Sequence, residues 1–291
     1  MKQTLNKIIN WLLNLILGSA ALALLWIFGQ VFVFTSFRIP SDSMEPVLEA
    51  GDCVFVNKML LGARIFDLSD AMDGKQVEIH RIPGLSHIRR NDILVFNFPH
   101  PHTWDKIEMH LMKYYIKRCI GLPGDTLSIE NGMYRIGHDT TPVGNRKSQQ
   151  KIRERTVSSF EEGVFKSFPY DSVLNWNIKN FGPLYIPKAG DSISMNRTNF
   201  CLYRKVIEWE QKENLYIQDS IVYLKNTPLY QYRFRKNYYF MAGDKGENSQ
   251  DSRYWGLLPE EYIVGKATRI WKSVDPYLGT WRWKRILKNI E

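Results

Sequence analysis

The sequence predicts a mostly β protein: an antiparallel β-sheet catalytic core with an inserted subdomain, preceded by one N-terminal transmembrane helix. Three features predict it. No charged residue lies between Lys7 and Arg38, and about 20 apolar residues suffice for a helix to cross a bilayer. Beyond that run, short segments alternate apolar and polar residues with a period of two and are separated by turn residues. There is no strand–helix–strand rhythm of the kind a parallel sheet requires.

The anchor comes first. Residues 8–36 read as the transmembrane segment, after a short cytoplasmic N-terminus at 1–7. A cleaved secretory signal competes with this reading, because Lys2 and Lys7 form a basic flank and Ala-Leu-Ala at 21–23 imitates a cleavage site. The apolar stretch runs on through LLWIFGQVFVF, which favours an uncleaved span. Lys2 and Lys7 place the N-terminus in the cytoplasm and the bulk of the chain outside it.

Strands are expected at 52–58, 91–98, 110–122, 125–130, 220–226, 238–244 and 262–271, with Leu-Pro-Gly-Asp at 122–125 as a hairpin signal. The catalytic core is assigned to 37–130 and 219–275. Residues 59–89 read as mixed and loop-like. The more polar stretch 131–218 reads as the inserted subdomain, with 147–162 helical or mobile. The basic, aromatic tail 276–291 reads as a short interfacial helix or a solvated amphipathic end.

The formal net charge is +9, and seven basic residues face only Asp275 and Glu291 after position 265. No nucleic-acid motif accompanies that excess, so an anionic membrane surface is the better partner. Three cysteines without a Cys-x-x-Cys spacing form no disulfide framework. The histidines at 100, 102 and 110 match no familiar ligand spacing, so no metal and no cofactor is expected. No obligate oligomer is expected either.

The chemistry is concentrated in three stretches. Phe37–Asp52 sets Ser41 and Ser43 among the apolar Phe37, Ile39, Met44, Val47 and Leu48. A serine needs a base, and no histidine here lies in a triad context. Tyr-Tyr-Ile-Lys-Arg-Cys-Ile-Gly-Leu-Pro-Gly-Asp places Lys117 in an apolar strand, on one face with Tyr115 and Cys119. Burial disfavours a charged amine, so a lysine there can be neutral enough to serve as base. A solvated strand lysine is the plainer alternative. The third stretch, 238–256, runs from a strand into a turn holding Ser249, a polar group able to orient the lysine. Asp251 and Arg253, two residues apart, can form an ion pair.

IPSDSMEPVL, YIKRCIGLPGD and GDKGENSQDSRYWG, in that order behind an N-terminal anchor, resemble the boxes of bacterial type I signal peptidase (leader peptidase), a serine/lysine-dyad family. The resemblance covers Phe37–Lys58, Arg90–Ile129 and Ile221–Trp271. It implies Ser43 as nucleophile, Lys117 as general base, Ser249 as the serine holding the lysine, and Ser41 as an oxyanion-hole hydroxyl. It implies Asp251 with Arg253 and Asp244 with Arg118 as supporting pairs. Ile39, Met44, Leu48, Tyr115 and Ile116 are implied as the lining of shallow pockets for small substrate residues. Val47 replaces a usual threonine, and Lys245-Gly246-Glu247 replaces a usual Asn-Arg-Asp. The implied function is removal of signal peptides from exported preproteins at the bacterial inner membrane. A catalytically silent relative that binds exported peptides is the alternative.

The geometry suits that function. Ser43 is six residues past Phe37, at most about 21 Å from the anchor's end at roughly 3.5 Å per residue. A signal sequence leaves its scissile bond just outside the bilayer, where this serine would be.

Overall fold

The structure is a computed structural model that describes residues 2–73 and 77–290. Residues 74–76, inside the stretch read as loop-like, lie outside the described residues. Helix α1, Lys2–Phe28, continues through one π-helical turn at Gly29–Val33. The apolar stretch Asn6–Val33 is long enough to cross a membrane, and none of it is buried against the rest of the chain. A helix that is apolar all round and packs on nothing in its own chain has the character of a bilayer span. The last residues of the apolar run are strand rather than helix, because Phe34–Arg38 (β1) pairs antiparallel with β2, Asp52–Asn57.

The main sheet has seven strands, every neighbouring pair antiparallel. With β3 at Ile93–Asn97, β4 at Tyr114–Gly121, β5 at Tyr238–Ala242, β6 at Leu258–Pro259 and β7 at Ile263–Ser273, its order is β1-β2-β7-β3-β4-β5-β6. The sequence explains the centre of this sheet. All five residues of β3 are buried, and their alternation sends Ile93 and Val95 to one core and Leu94 and Phe96 to the other. The first of these cores is small, and it holds Ile39, Met44 and Leu48 from the loop after β1.

Several expectations are corrected. Leu122–Asp125 makes a turn, but it joins strands of different sheets instead of a hairpin. Both edges of β4 are already taken by β3 and β5. Gly124 and Asp125 exchange backbone hydrogen bonds with Ile186, which diverts the chain to a three-stranded sheet of 126–130, 133–136 and 181–185. Residues 221–224 pair with 215–218 and 227–228 in a separate small sheet. The 131–218 stretch holds two longer helices besides the short turns at Val157–Ser159 and Glu162–Phe165. Helix α2, Arg146–Glu154, is capped by the Asn145 side chain, and α3, Arg197–Gln211, by Asn196.

The tail is neither a free helix nor a solvated end. It has one 3₁₀ turn at Trp283–Arg285 and lies back on β7, with bridges Arg269–Asn289 and Val274–Trp281. The cause is electrostatic. Arg285 donates to Asp52 Oδ2 at 2.6 Å, Glu49 Oε1 at 2.6 Å and the Val47 carbonyl at 2.9 Å, and Arg282 donates to Glu49 Oε2 at 2.8 Å. Asp52 is fully buried. Burial works to raise its carboxyl pKa, but Arg285, the Glu49 N–H and Ser273 together hold it below the usual range. Its contribution to stability is therefore complete above the unfolded-state value near 3.9 and lost as pH falls through the lower folded value.

Arg285→Ala should destabilise the domain by about 3 kcal/mol at pH 7, because it strands a buried carboxylate. Urea unfolding of the detergent-solubilised protein measures this, and an unchanged midpoint would show that the tail, a C-terminal strap across the serine loop, is not held through Arg285.

Candidate active site

The loop from Ile39 to Gly51 is fixed at both ends. Ile39 N–H donates to the Asp52 carbonyl at 2.7 Å and Gly51 N–H to the Ile39 carbonyl at 2.8 Å. Between these points Met44 and Leu48 are driven fully into the core, and a backbone bond of 3.0 Å from Leu48 N–H to the Met44 carbonyl tightens the turn. Ser43, next to Met44, is thereby held against the sheet. Lys117 comes from the middle of β4, whose backbone is paired on both sides, opposite Leu94 on β3. The main chain that carries Lys117 is thereby fixed within the sheet.

The Lys117 Nζ lies 2.5 Å from the Ser43 Oγ. Lys117 is 5% exposed and Ser43 8%. Burial pushes the Lys117 ammonium down from its ordinary value to about 8, partly opposed by Asp251 and assisted by Arg253. At that value a substantial fraction of the amine is neutral near physiological pH. Ser41 Oγ is 3.4 Å from Ser43 Oγ and is exposed to the cleft. Among the described residues, no hydrogen bond uses the Ser43 N–H.

The loop after β5 supplies the surroundings. Asp251 and Arg253 form a buried bidentate pair, with both bonds at 2.8 Å. Burial alone would raise the Asp251 carboxyl, but Arg253, the Gly243 N–H and Ser249 hold it below the usual range. The Gly243 bond to Asp251 is 2.9 Å. Arg118 grips Asp244 in the same bidentate way, at 2.7 and 2.8 Å. Gly243 itself must be a glycine, because a Cβ there would lie 2.1 Å from Ser249 Oγ and 2.7 Å from the Ser43 carbonyl. Ser249 Oγ is enclosed beside Asp251 and makes no full hydrogen bond to Lys117 or to any other described group.

A cavity of about 380 Å³ opens in front of the pair. Ile39, Ser41, Ser43, Tyr115, Ile116 and Lys117 line it, with Phe37, Tyr114, Asn248 and Gln250 among its other walls. Met44 and Leu48, expected as lining, lie behind the wall in the core. Fully buried in the same small core as Ile39, they support the wall from behind. Asn248 and Gln250 had no distinguishing signal in the sequence; Gln250 accepts from the Tyr115 hydroxyl at 3.0 Å across the rim. Lys245, at the variant Lys-Gly-Glu, donates to Asp42 and Glu45 on either side of Ser43. Among the described residues, no three His, Cys, Asp or Glu side chains are grouped to hold a metal ion. The arrangement can perform nucleophilic acyl transfer with an amine base.

A buried ammonium is costly, and this gives a stability prediction with a definite sign. The folded pKa of Lys117 is about 8 and the unfolded one about 10.4, so the protonated side chain opposes folding below pH 8. Lys117→Met should therefore stabilise the protein at pH 6 by about 2–3 kcal/mol. The advantage should shrink as pH rises from 8 towards 10.4. Unfolding measured at pH 6 and pH 10 checks this, and equal differences at the two pH values would contradict it.

The similarities of the chain to known proteins agree with this chemistry. The sequence profile of the family described as "Signal peptidase, peptidase S26" matches residues 8–272. A signal peptidase I of Buchnera aphidicola subsp. Schizaphis graminum is 30% identical over 254 residues, covering 86% of this chain and 72% of that protein. Its counterpart from Buchnera aphidicola subsp. Acyrthosiphon pisum is 32% identical with the same coverage. The signal peptidase I of Pseudomonas aeruginosa is 30% identical, covering 83% of this chain and 66% of its own length. The profile spans the apolar helix, the serine loop, the lysine strand and the loop after β5 together. The chain belongs to the signal peptidase family of S26 peptidases, and it is a hydrolase of that class.

Proposed function

We propose that this protein is a membrane-bound serine endopeptidase that removes N-terminal signal peptides from exported preproteins by a Ser43/Lys117 mechanism. The observation that carries the proposal is the 2.5 Å approach of a buried lysine amine to a serine hydroxyl on the floor of an open cavity. Neutral Lys117 takes the Ser43 proton as Oγ bonds to the carbonyl carbon of the scissile peptide. The Ser43 N–H and the Ser41 hydroxyl donate to the tetrahedral oxyanion. Collapse breaks the C–N bond, and the Lys117 ammonium passes its proton to the departing amine. Lys117 then takes a proton from water as it attacks the acyl carbon. When that second intermediate collapses, the proton returns to Ser43 Oγ. Ile39, Tyr115 and Ile116 form the surface against which small residues before the scissile bond pack. Ser249 and the Asp251–Arg253 pair act by holding the lysine's surroundings.

The location fits the same function. β1 follows the anchor directly, and its Ser36 accepts from Trp271 at 2.7 Å, so the end of β7 stands at the foot of the helix. Trp281 and Trp283 stack with centroids 5.2 Å apart and are well exposed beside Lys284 and Lys288. Such a basic, aromatic surface suits lipid headgroups. The anchor then lies in the bacterial cytoplasmic membrane, with the catalytic domain on the extracytoplasmic side. In this organisation 131–218 is an inserted subdomain between two parts of the core. A silent peptide-binding relative would have no need to keep a desolvated lysine against a serine, which favours the enzyme.

Cleavage of a preprotein with an Ala-x-Ala site should rise on the alkaline side through about pH 8, following the neutral fraction of Lys117. Ser43→Ala and Lys117→Ala should abolish it, and Ser41→Ala should lower kcat by about 10²-fold. Gel-based cleavage assays across pH 6 to 10 measure all three. Turnover surviving in Ser43→Ala would place the nucleophile elsewhere, and wild type inactive throughout would favour the silent relative.

A further inference from the structure

Two carboxylates of the loop that carries Ser43, Asp42 and Glu45, reach towards the loop that follows β5. Lys245 lies between them. Its Nζ donates to Asp42 Oδ2 at 2.5 Å and to Glu45 Oε2 at 2.9 Å, and its backbone N–H donates to the Ser43 carbonyl at 3.0 Å. Asn248 adds bonds of 3.0 and 3.1 Å to the two Asp42 oxygens. One residue thus fastens the nucleophile's loop to the loop of Ser249 and Asp251 at three points.

The charges around Lys117 give this clamp a second role. The groups that face it are Asp251 and Arg253, Asp244, and Asp42. Asp251 and Asp244 are each matched by a buried guanidinium, Arg253 and Arg118. Asp42 has no arginine partner among the described residues, and Lys245 is the cation bonded to it. An unmatched Asp42 would favour the protonated form of Lys117. Hydrogen bonds from Lys245 and Asn248 keep the Asp42 carboxyl below its usual range, and Lys245 is held correspondingly more basic by Asp42 and Glu45.

We propose that Lys245 is a positioning residue for the Ser43/Lys117 reaction, fixing the serine loop through Asp42 and Glu45 and cancelling the Asp42 charge that would otherwise hold Lys117 protonated. This rests on the Ser/Lys mechanism proposed above and adds a residue to it. Lys245, Asp42 and Glu45 are each about a third exposed, so water and salt weaken the electrostatic part. Its effect on Lys117 is about half a pH unit, not several.

The test is the pH dependence of kcat/KM on an Ala-x-Ala preprotein for wild type, Lys245→Met, Lys245→Arg and the double variant Lys245→Met with Asp42→Asn. Lys245→Met should lower kcat severalfold and move the midpoint of the alkaline rise up by about half a unit. Lys245→Arg should keep the wild-type midpoint, and the double variant should restore it without restoring the full rate. A rate loss with an unmoved midpoint, or no change in either, would overturn the proposal. Acetylation of the Lys117 amine by acetic anhydride as a function of pH, read by peptide mass spectrometry, follows the same titration without turnover. Wild-type Lys117 titrating near 10.4 would remove the Ser/Lys mechanism itself. A depressed titration that Lys245→Met leaves in place would remove only the clamp.

Discussion

The structure depends on one constraint: a lysine amine has to be buried, and left free of any carboxylate of its own, within reach of a serine. A carboxylate bonded to Lys117 would return its pKa towards the ordinary value and remove the neutral amine that the proposed mechanism needs. Three carboxylates nonetheless surround the site, and each is bonded to another cation. Arg118 holds Asp244, Arg253 holds Asp251, and Lys245 holds Asp42. The two buried pairs are bidentate, which gives guanidinium and carboxylate full complements of hydrogen bonds in a dry environment. Lys117 is left with Ser43 as its bonded partner and with the Tyr115 ring 5.7 Å from its nitrogen.

The remainder of the fold supports the two loops that meet at this point. On one side the C-terminal strap presses Arg282 and Arg285 onto Glu49, Asp52 and the carbonyls of the serine loop. On the other side α2 of the 131–218 stretch braces the loop after β5. The Ser148 hydroxyl accepts from Gly246 N–H at 2.7 Å and lies 3.4 Å from Glu247. Lys151 reaches Glu247 at 3.4 Å, though that pair is exposed and contributes little. Polar as it is, this stretch is packed onto the loop that carries Ser249 and Asp251. The apolar helix, the serine loop and the C-terminal strap are then continuous through β1, β2 and β7, so Ser43 is held at a fixed place relative to the end of α1.

Much of this was legible in the sequence, and for physical reasons. An uncharged run of helical length has few other uses. Period-two alternation put Lys117 on one face with Tyr115 and Cys119 but left a solvated lysine as the plainer reading, and the three ordered boxes singled it out. The antiparallel core followed from the short strands between turns. What escaped notice depends on contacts distant in sequence. Leu-Pro-Gly-Asp has hairpin chemistry, but whether the next strand returns to the same sheet depends on β5 having claimed that edge. Met44 and Leu48 closely follow the serine in sequence, yet their full burial is set by β2, β3 and β7 closing over them. Helix α3 carries Leu202, Tyr203, Val206 and Ile207 at helical spacing, a signal obscured by the polar average of the whole stretch. The basic tail resembled a solvated end because its acidic partners are more than 200 residues away. Lys245 was visible as a departure from a familiar motif, but its meaning required the apposition of two loops.

The central claim is that Lys117 is a depressed, reversibly neutral amine in the folded protein. The most direct measurement is an NMR titration of ¹⁵N-lysine-labelled protein in detergent, with the Lys117 signal assigned by its loss in Lys117→Met. A midpoint near the value of about 8 set by burial is the result predicted. A midpoint near 10.4, the value of a solvated lysine, would contradict the account, since Ser43 would then have no base.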